Sequence, residues 1–445
     1  LAHWIERAAG AEVRVWDPAI AGLPQGADFE GYDYIGFSPL AETLAEDLRA
    51  MREAGRANPA ATLIAGGVEA TLDYQTILEK TRVEWIVLGY GERALAEIVG
   101  GAESVAGTIR RRFGEPVTTG DLREFYESQD FSRMDYPAYW RQTERMYEAP
   151  DLDSIRTVRL VTSTHCNRGC AFCPVMGWQK QATGAVRPVA VLPTEDLIQL
   201  VSRVRSEVPE VRTIFFCEDD YFQSRSRVEG FCEWAKGSGL RYLVQTHLAR
   251  LDQALIGTLA SGGTRYLQLG IENASPRVLQ SFGKPQDLTK VPQVIGWCAK
   301  AGMECCLLVI LFAPSATMED LRLNCEVLPR WMEMGASLGV EPYTYPYRGA
   351  RLWESAHDFE NEFSEIGQDA VLKRPVRIVP DDPAVRRVMR TFGERWPSYV
   401  GAHGPTHRFK RAVGALMVDL LAEILEETGA EEHDGKPEPV HGGSG

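Results

Sequence analysis

The sequence predicts an α/β protein made of two successive parallel-sheet units followed by a small helical region. Three observations predict it. Short apolar runs alternate with helical stretches before about residue 100, and the rhythm returns more strongly from Arg156. Between them, 106–155 has little periodicity. A chain of 445 residues with 44% apolar content also exceeds one comfortable hydrophobic core.

The elements follow in order. LAHWIERAAG is amphipathic, the pattern of a helix rather than of a secretory leader. EVRVW, YDYIGFS, ATLIAGG and VEWIVLGYG read as strands, with LAEDLRAMREAG as an intervening helix. A parallel sheet covered on both faces has this rhythm, and it normally has a strand before its first helix; here the sequence starts inside that helix. The unit spans 1–105, and 106–155 reads as a linker. From 156 to 350, strands are expected at 158–164, 212–218, 242–247, 264–271, 304–312 and 337–343. Helices separate them near 194–207, 226–238, 252–260, 288–301 and 318–333. Six β/α units in succession predict a partial (β/α)6 barrel, whose chemistry sits at the carboxyl ends of its strands. Residues 351–428 read as mostly helical. There Phe409, Val413, Leu416, Leu420, Ile424 and Leu425 mark one buried helix face by their three-and-four spacing. Residues 429–445 lack the apolar content to order themselves and read as a flexible tail.

The formal net charge of -14 argues against nucleic acid, which needs clustered Lys and Arg to displace its counterions. No apolar run approaches the ~20 residues that span a bilayer. A cytoplasmic protein without membrane contact is expected. Acidity of this kind serves solubility, and it also suits a cationic small substrate. In a reducing compartment nine unevenly spaced cysteines make a poor disulfide framework, and a local cluster more often binds metal.

Such a cluster stands in THCNRGCAFCPV. Cys166, Cys170 and Cys173 lie on a loop just after the first barrel strand, and Gly169 allows the loop a tight bend. Three soft thiolates suit iron and sulfide and leave one iron of a cubane without a protein ligand, free for a substrate or cofactor. Structural zinc competes, but it usually takes four ligands in two close pairs, and His165 adjoins Cys166 too tightly to complete such a set. The bland alternative is three coincidentally buried cysteines.

The pattern C-x3-C-x-aromatic-C, with Phe172 before the last cysteine, resembles the cluster loop of the radical S-adenosylmethionine (SAM) superfamily. FFCEDDYFQSRSR resembles the acidic second-strand segment of the subfamily with an amino-terminal cobalamin-binding-like Rossmann domain, LQLGIENASPRVLQSFGK its fourth-strand segment, and TYPYRGARLW its sixth-strand exit. IGFS, IAGGVEAT and LGYGERAL, within residues 33–95, look like its cobalamin-type domain. The resemblance implies a [4Fe-4S] cluster on Cys166, Cys170 and Cys173. SAM would chelate the open iron and be cleaved by one electron to a 5′-deoxyadenosyl radical, with flavodoxin or ferredoxin as electron donor. By position, Glu218 and Asp219 are candidates for the SAM ammonium, Gln268 and Glu272 for its ribose or amine, and Phe172 for packing near adenine. Each carboxylate could equally be a solvated strand end. LVILFAPSAT departs from the family habit, with Phe312 and Ala313 where glycine is common.

The resemblance fixes no reaction, because one fold hosts many chemistries. In one reading the amino-terminal domain binds cobalamin for methyl transfer to a substrate radical. Gly66 and Gly67 would let the backbone approach the cofactor, with Ser38, Glu69 and Thr71 lining the same crevice; the alternative is an ordinary glycine turn. No D-x-H-x-x-G segment is present, so a histidine ligand to cobalt is not expected. In the other reading, ranked first, that domain is a scaffold without cobalamin and the enzyme is a dehydratase. Tyr221 beside Asp220 would protonate a departing hydroxyl, and the carboxylates would bind an amino sugar, as in the radical SAM dehydratases of aminoglycoside antibiotic pathways, whose keto product passes to a downstream reductase. Tyr221 could instead be a packing residue. His247, at the third strand's end, reads as structural or catalytic. A non-catalytic iron–sulfur or zinc scaffold is the remaining alternative. The other six cysteines read as small buried residues.

Overall fold

The computed structural model describes residues 1–110, 130–147, 155–186, 188–367, 370–403 and 410–434. Its amino-terminal unit is a four-stranded sheet in chain order: β1 (Tyr34–Phe37), β2 (Thr62–Ala65), β3 (Trp85–Val87) and β4 (Thr108–Arg110). The first three strands are parallel, and β4 runs back against β3. Both faces of β2 are buried. Leu63 and Ala65 pack with Leu48 and Met51 of the helix Leu44–Ala57, while Ile64 packs on the opposite face with Trp85 and Ile98. A sheet covered by helices on both sides demands such continuous apolar strands.

Two expectations fail here. EVRVW forms no strand: β1 is the sheet edge, and residues 11–16 belong to no element. Alternating apolar residues do not make a strand without a neighbour to take the backbone hydrogen bonds. The segment read as a linker holds β4 and the helix Tyr136–Tyr147; residues 111–129 and 148–154 of it lie outside the described residues.

The second unit is a six-stranded, all-parallel sheet in chain order: β5 (Thr157–Leu160), β6 (Thr213–Phe216), β7 (Arg241–Thr246), β8 (Thr264–Glu272), β9 (Glu304–Phe312) and β10 (Ala336–Tyr343). This is the expected partial barrel. Leu267, Leu269 and Ile271 are wholly buried in its core, each contributing about 1.5–3 kcal/mol of burial. Gln268 and Gly270, one residue out of phase, take the other, half-open face. At the β10 edge lies the helix Lys410–Asp434. Gly414 sits so close to the Leu338 carbonyl that no side chain would fit, and Leu420, Leu421, Ile424 and Leu425 join the barrel core. Covering that edge removes a row of open backbone groups.

The carboxyl-terminal region is less helical than expected. Besides the helix Pro383–His403 it holds an antiparallel hairpin, β11 (Phe359–Gly367) and β12 (Ala370–Ile378). Its alternating charges hide it: only Ile366, Leu372 and Ile378 of the two strands are buried. Ile366 and Leu372 join the core of the amino-terminal unit, so the hairpin straps the two ends of the chain together. The last helix continues past residue 428 to Asp434, into the segment read as a tail; Phe409 and 435–445 lie outside the described residues. Among the described residues, no helix is long and apolar enough to cross a membrane.

Candidate active site

The cysteine loop leaves β5 at the carboxyl end of the barrel and is held from several sides. Ala171 N–H donates to the Phe282 carbonyl at 2.7 Å, and the Ala171 carbonyl accepts Leu352 N–H at 2.8 Å. Arg351 donates to the Gly169 carbonyl at 2.7 Å, and Gly169 adopts a φ of 63°. Cys166, Cys170 and Cys173 are partly exposed free thiols, and burial pushes the pKa of each up, that of Cys173 to about 12. Iron binding at these thiols therefore expels protons. Their charges act on one another, yet among the described residues no group of three His, Cys, Asp or Glu side chains converges as a single metal ion requires. His165 is buried and takes the Gln179 amide on Nδ1 at 2.8 Å.

The acidic run after β6 divides by direction. Glu218 is 1% exposed, accepts Thr162 N–H at 3.0 Å and the Thr162 hydroxyl, and pairs with buried Arg227 at 3.3 Å. Burial raises its pKa to about 7. Asp220 is as buried, accepting Thr246 Oγ1 at 2.8 Å and Phe222 N–H at 3.3 Å, with Arg250 at 3.5 Å and Arg168 at 3.8 Å. These two acids hold the strand ends together, which corrects their expected ligand and catalytic roles. Asp219 points the other way: it is exposed and accepts the Cys166 backbone N–H, beside the cysteine loop. Tyr221 is also corrected. It stacks on Phe216 with ring centroids 4.8 Å apart and lies under the Arg227 guanidinium at 5.3 Å, inside the core, where it is a packing residue. His247 is buried and caps a helical turn by accepting Ala249 N–H at 3.3 Å. Burial, with Lys284, Arg168 and Arg250 nearby, lowers its pKa to about 3, which keeps the imidazole neutral.

The end of β8 is built differently. The strand register shifts between Gly270 and Glu272, and Glu272 adopts a φ of 66°, a left-handed conformation that costs a non-glycine residue about 1–3 kcal/mol. Gln286 holds the distortion, donating to the Gly270 and Ile271 carbonyls at 3.1 Å each. Glu272 so placed pairs with Lys284, and both charges act on Cys170. A side chain at Gly270 would strike Glu272 and Lys284. Lys284 and Gln286 carry no sequence signal of their own; only the left-handed Glu272 shows why they matter.

Phe172 packs edge-on against Phe282 at 5.0 Å and, with Glu272, borders a cavity of about 440 Å³ at the barrel mouth. Leu308, Ile310, Gly339 and Glu341 line its barrel side. Gln268 lies on the same sheet face, in register with Cys306. Glu42, Tyr345 and Tyr347 border this cavity and also a neighbouring one of about 170 Å³, which reaches Glu69 and Asp73 of the amino-terminal unit. Glu69 has a pKa raised to about 7 by burial and by Asp73. The two units interlock around this space: Tyr90 donates to the Thr164 carbonyl at 3.1 Å, Arg348 pairs with Asp73 at 3.0 Å, and Tyr347 donates to Glu42 at 3.1 Å. Gly177, in the helix after the cysteine loop, presses against the backbone of Gly349, which in turn faces Leu72.

Of the crevice residues, Gly67 has a φ of 90° and a side chain there would come within 2.9 Å of Ser38 Oγ, so Ser38, Gly66 and Gly67 do meet. Thr71 does not open to them. It is fully buried, its hydroxyl donating to the Gly67 carbonyl at 2.7 Å and accepting Gly89 N–H at 3.0 Å, a structural role.

The profile of the radical SAM superfamily matches residues 160–326, and that of the B12 binding domain residues 5–99. The chain carries a radical SAM domain joined to a B12-binding domain. As a radical SAM enzyme it uses a [4Fe-4S] cluster and SAM, and the open three-thiol loop fits that cluster. An uncharacterized methyltransferase of Pyrococcus horikoshii is 20% identical over 331 residues, covering 73% of this chain and 69% of the relative. The radical SAM methyltransferase TsrM of Kitasatospora setae, solved with tryptophan substrate and a SAM analog, superposes with a TM-score of 0.66 at 13% identity, over 97% of this chain and 96% of TsrM. OxsB, a cobalamin-dependent SAM radical enzyme solved with aqua-cobalamin, gives 0.64 at 12% identity, over 98% of this chain and 78% of OxsB. At such identities the two structures establish a shared fold.

Proposed function

We propose that this radical SAM enzyme is a cobalamin-dependent methyltransferase acting on a small molecule. The observation that carries the reading is the shared space between the two domains. Glu42, Tyr345 and Tyr347 border both the chamber beside the cysteine loop and the cavity reaching Glu69, so a cofactor on the B12-binding domain and a substrate at the barrel mouth would be neighbours. The Pyrococcus and TsrM relatives are named as methyltransferases, and OxsB as a cobalamin-dependent enzyme. Dehydration of an amino sugar loses its support, because its proton donor, Tyr221, is in the core.

When bound, the cluster supplies the electron that splits SAM and cobalamin a carrier for the methyl group. The chain's own residues do the rest. Cys166, Cys170 and Cys173 hold the cluster. The Glu272–Lys284 pair, charged and next to Cys170, binds the amino-acid end of SAM, with Asp219 on the opposite side of the loop and Gln268 toward the ribose. Phe172 packs near the adenine. Gly66, Gly67 and Ser38 leave backbone open to cobalamin, as a bare glycine pair at a strand end permits. Residues 4–164 contain no histidine.

The test is cofactor retention with a product assay. Anaerobically prepared protein should keep cobalamin in equal proportion to chain and, once reduced, convert SAM to S-adenosylhomocysteine. Gly67→Val should lose cobalamin but keep its cluster iron. Protein that retains no cobalamin and makes only 5′-deoxyadenosine would refute methyl transfer.

A further inference from the structure

We infer that the floor of the 440 Å³ chamber takes an uncharged apolar group of the substrate, and that Gly339 sets how large that group can be. The inference rests on reading this chamber as the substrate site of the proposed reaction. Its volume is that of a small-molecule pocket.

The chamber changes character with depth. Tyr345 and Tyr347 follow the end of β10 at its mouth. Gly339 on β10 and its register partner Leu308 on β9 lie deepest along those two strands, two residues before Glu341 and Ile310. Of the acids on its border, Glu272 pairs with Lys284 and Glu42 accepts the Tyr347 hydroxyl, both nearer the mouth. What the floor offers is apolar surface, and a charge brought against it would lose its hydration without return. A glycine inside a strand gives up packing, and it often marks a place that another group must approach closely. Backbone conformation supplies no reason for one here, since the φ of Gly339 is not positive. Space does. A methyl at this position would come within 2.8 Å of Leu308 Cδ2, so the leucine end would have to swing aside. Cys306, two residues before Leu308 on the same face, already fills the deeper side, its Sγ 3.4 Å from that methyl. The room left is the chamber itself, which any side chain at 339 would therefore shorten.

Calorimetric titration of the cluster-loaded, SAM-saturated, unreduced protein tests this with benzyl alcohol, 4-ethylbenzyl alcohol and 4-(hydroxymethyl)benzoate, which differ only at the end opposite the hydroxymethyl group. The ethyl compound should bind about tenfold more tightly than benzyl alcohol, as burial of two further carbons predicts, and the carboxylate more weakly than either. Gly339→Ala should remove the ethyl advantage while leaving benzyl alcohol within about threefold of its original affinity. Adding Leu308→Ala to that variant should restore the advantage. Leu308→Ala alone should shift the preference to the longer 4-butylbenzyl alcohol, which gives a second arm if Gly339→Ala does not fold. Equal binding of the two alcohols, a carboxylate bound as tightly as the ethyl compound, no binding at millimolar concentration, or preferences unchanged in both variants would overturn the inference. So would a Gly339→Ala protein that weakens both alcohols equally, the mark of a merely structural glycine. The titration needs neither cobalamin nor turnover, so failure of the methyl-transfer reading leaves its result intact.

Discussion

The ends of β6 and β8 both carry acids at the catalytic face of the barrel and use them in opposite ways. After β6 the acids are many, but Glu218 and Asp220 turn inward and are met by Thr162, Arg227 and Thr246. After β8 one acid, Glu272, is held in a left-handed backbone conformation and borders the chamber with Lys284 at its side. The number of carboxylates in a strand-end run is thus a poor guide to chemistry. Backbone direction decides: at β6 alternate residues enter the core, while at β8 a register shift clamped by Gln286 leaves Glu272 in a left-handed conformation at the border of the chamber.

Three substitutions would break or sharpen this contrast. Arg227→Met should have the largest effect, lowering stability by about 3–5 kcal/mol, because it leaves Glu218 buried without its cation. Denaturant unfolding measures the loss, and SAM affinity of the protein still folded should not change. Lys284→Met should do the reverse. It should weaken SAM binding about tenfold to a hundredfold, the worth of one or two charge-assisted bonds, with a smaller change in unfolding midpoint. If Lys284→Met left SAM binding intact, the β8 end would be structural like the β6 end. The smallest effect is expected of Tyr221→Phe: under about 1 kcal/mol of stability and unchanged SAM turnover, since the ring stays packed on Phe216. A collapse of product formation in that variant would restore the phenol as a proton donor.

The barrel was legible because its strands and helices alternate strongly; β9 and the helix Met318–Glu333 fall where periodicity puts them. The cysteine loop was legible because its spacing is local. What escaped depends on contacts between distant segments. The β11–β12 hairpin buries few residues, and those pack against the amino-terminal core far away in sequence. Nothing local separates Asp219, which stays exposed and accepts the Cys166 N–H, from Asp220, which is buried and bonded to Thr246. Thr71 lay one helical turn from Gly67, close enough to suggest a shared crevice, yet its hydroxyl is turned into the helix backbone.

The glycine-to-glycine contact of Gly177 with Gly349, backed by Leu72, has a mechanical consequence. One point of touch couples the helix behind the iron-binding loop, the barrel exit and the B12-binding domain. A hinge swing of that domain would drag on the loop, so the B12-binding domain and the iron-binding loop cannot drift apart independently, and their spacing is set by the scaffold before any ligand arrives.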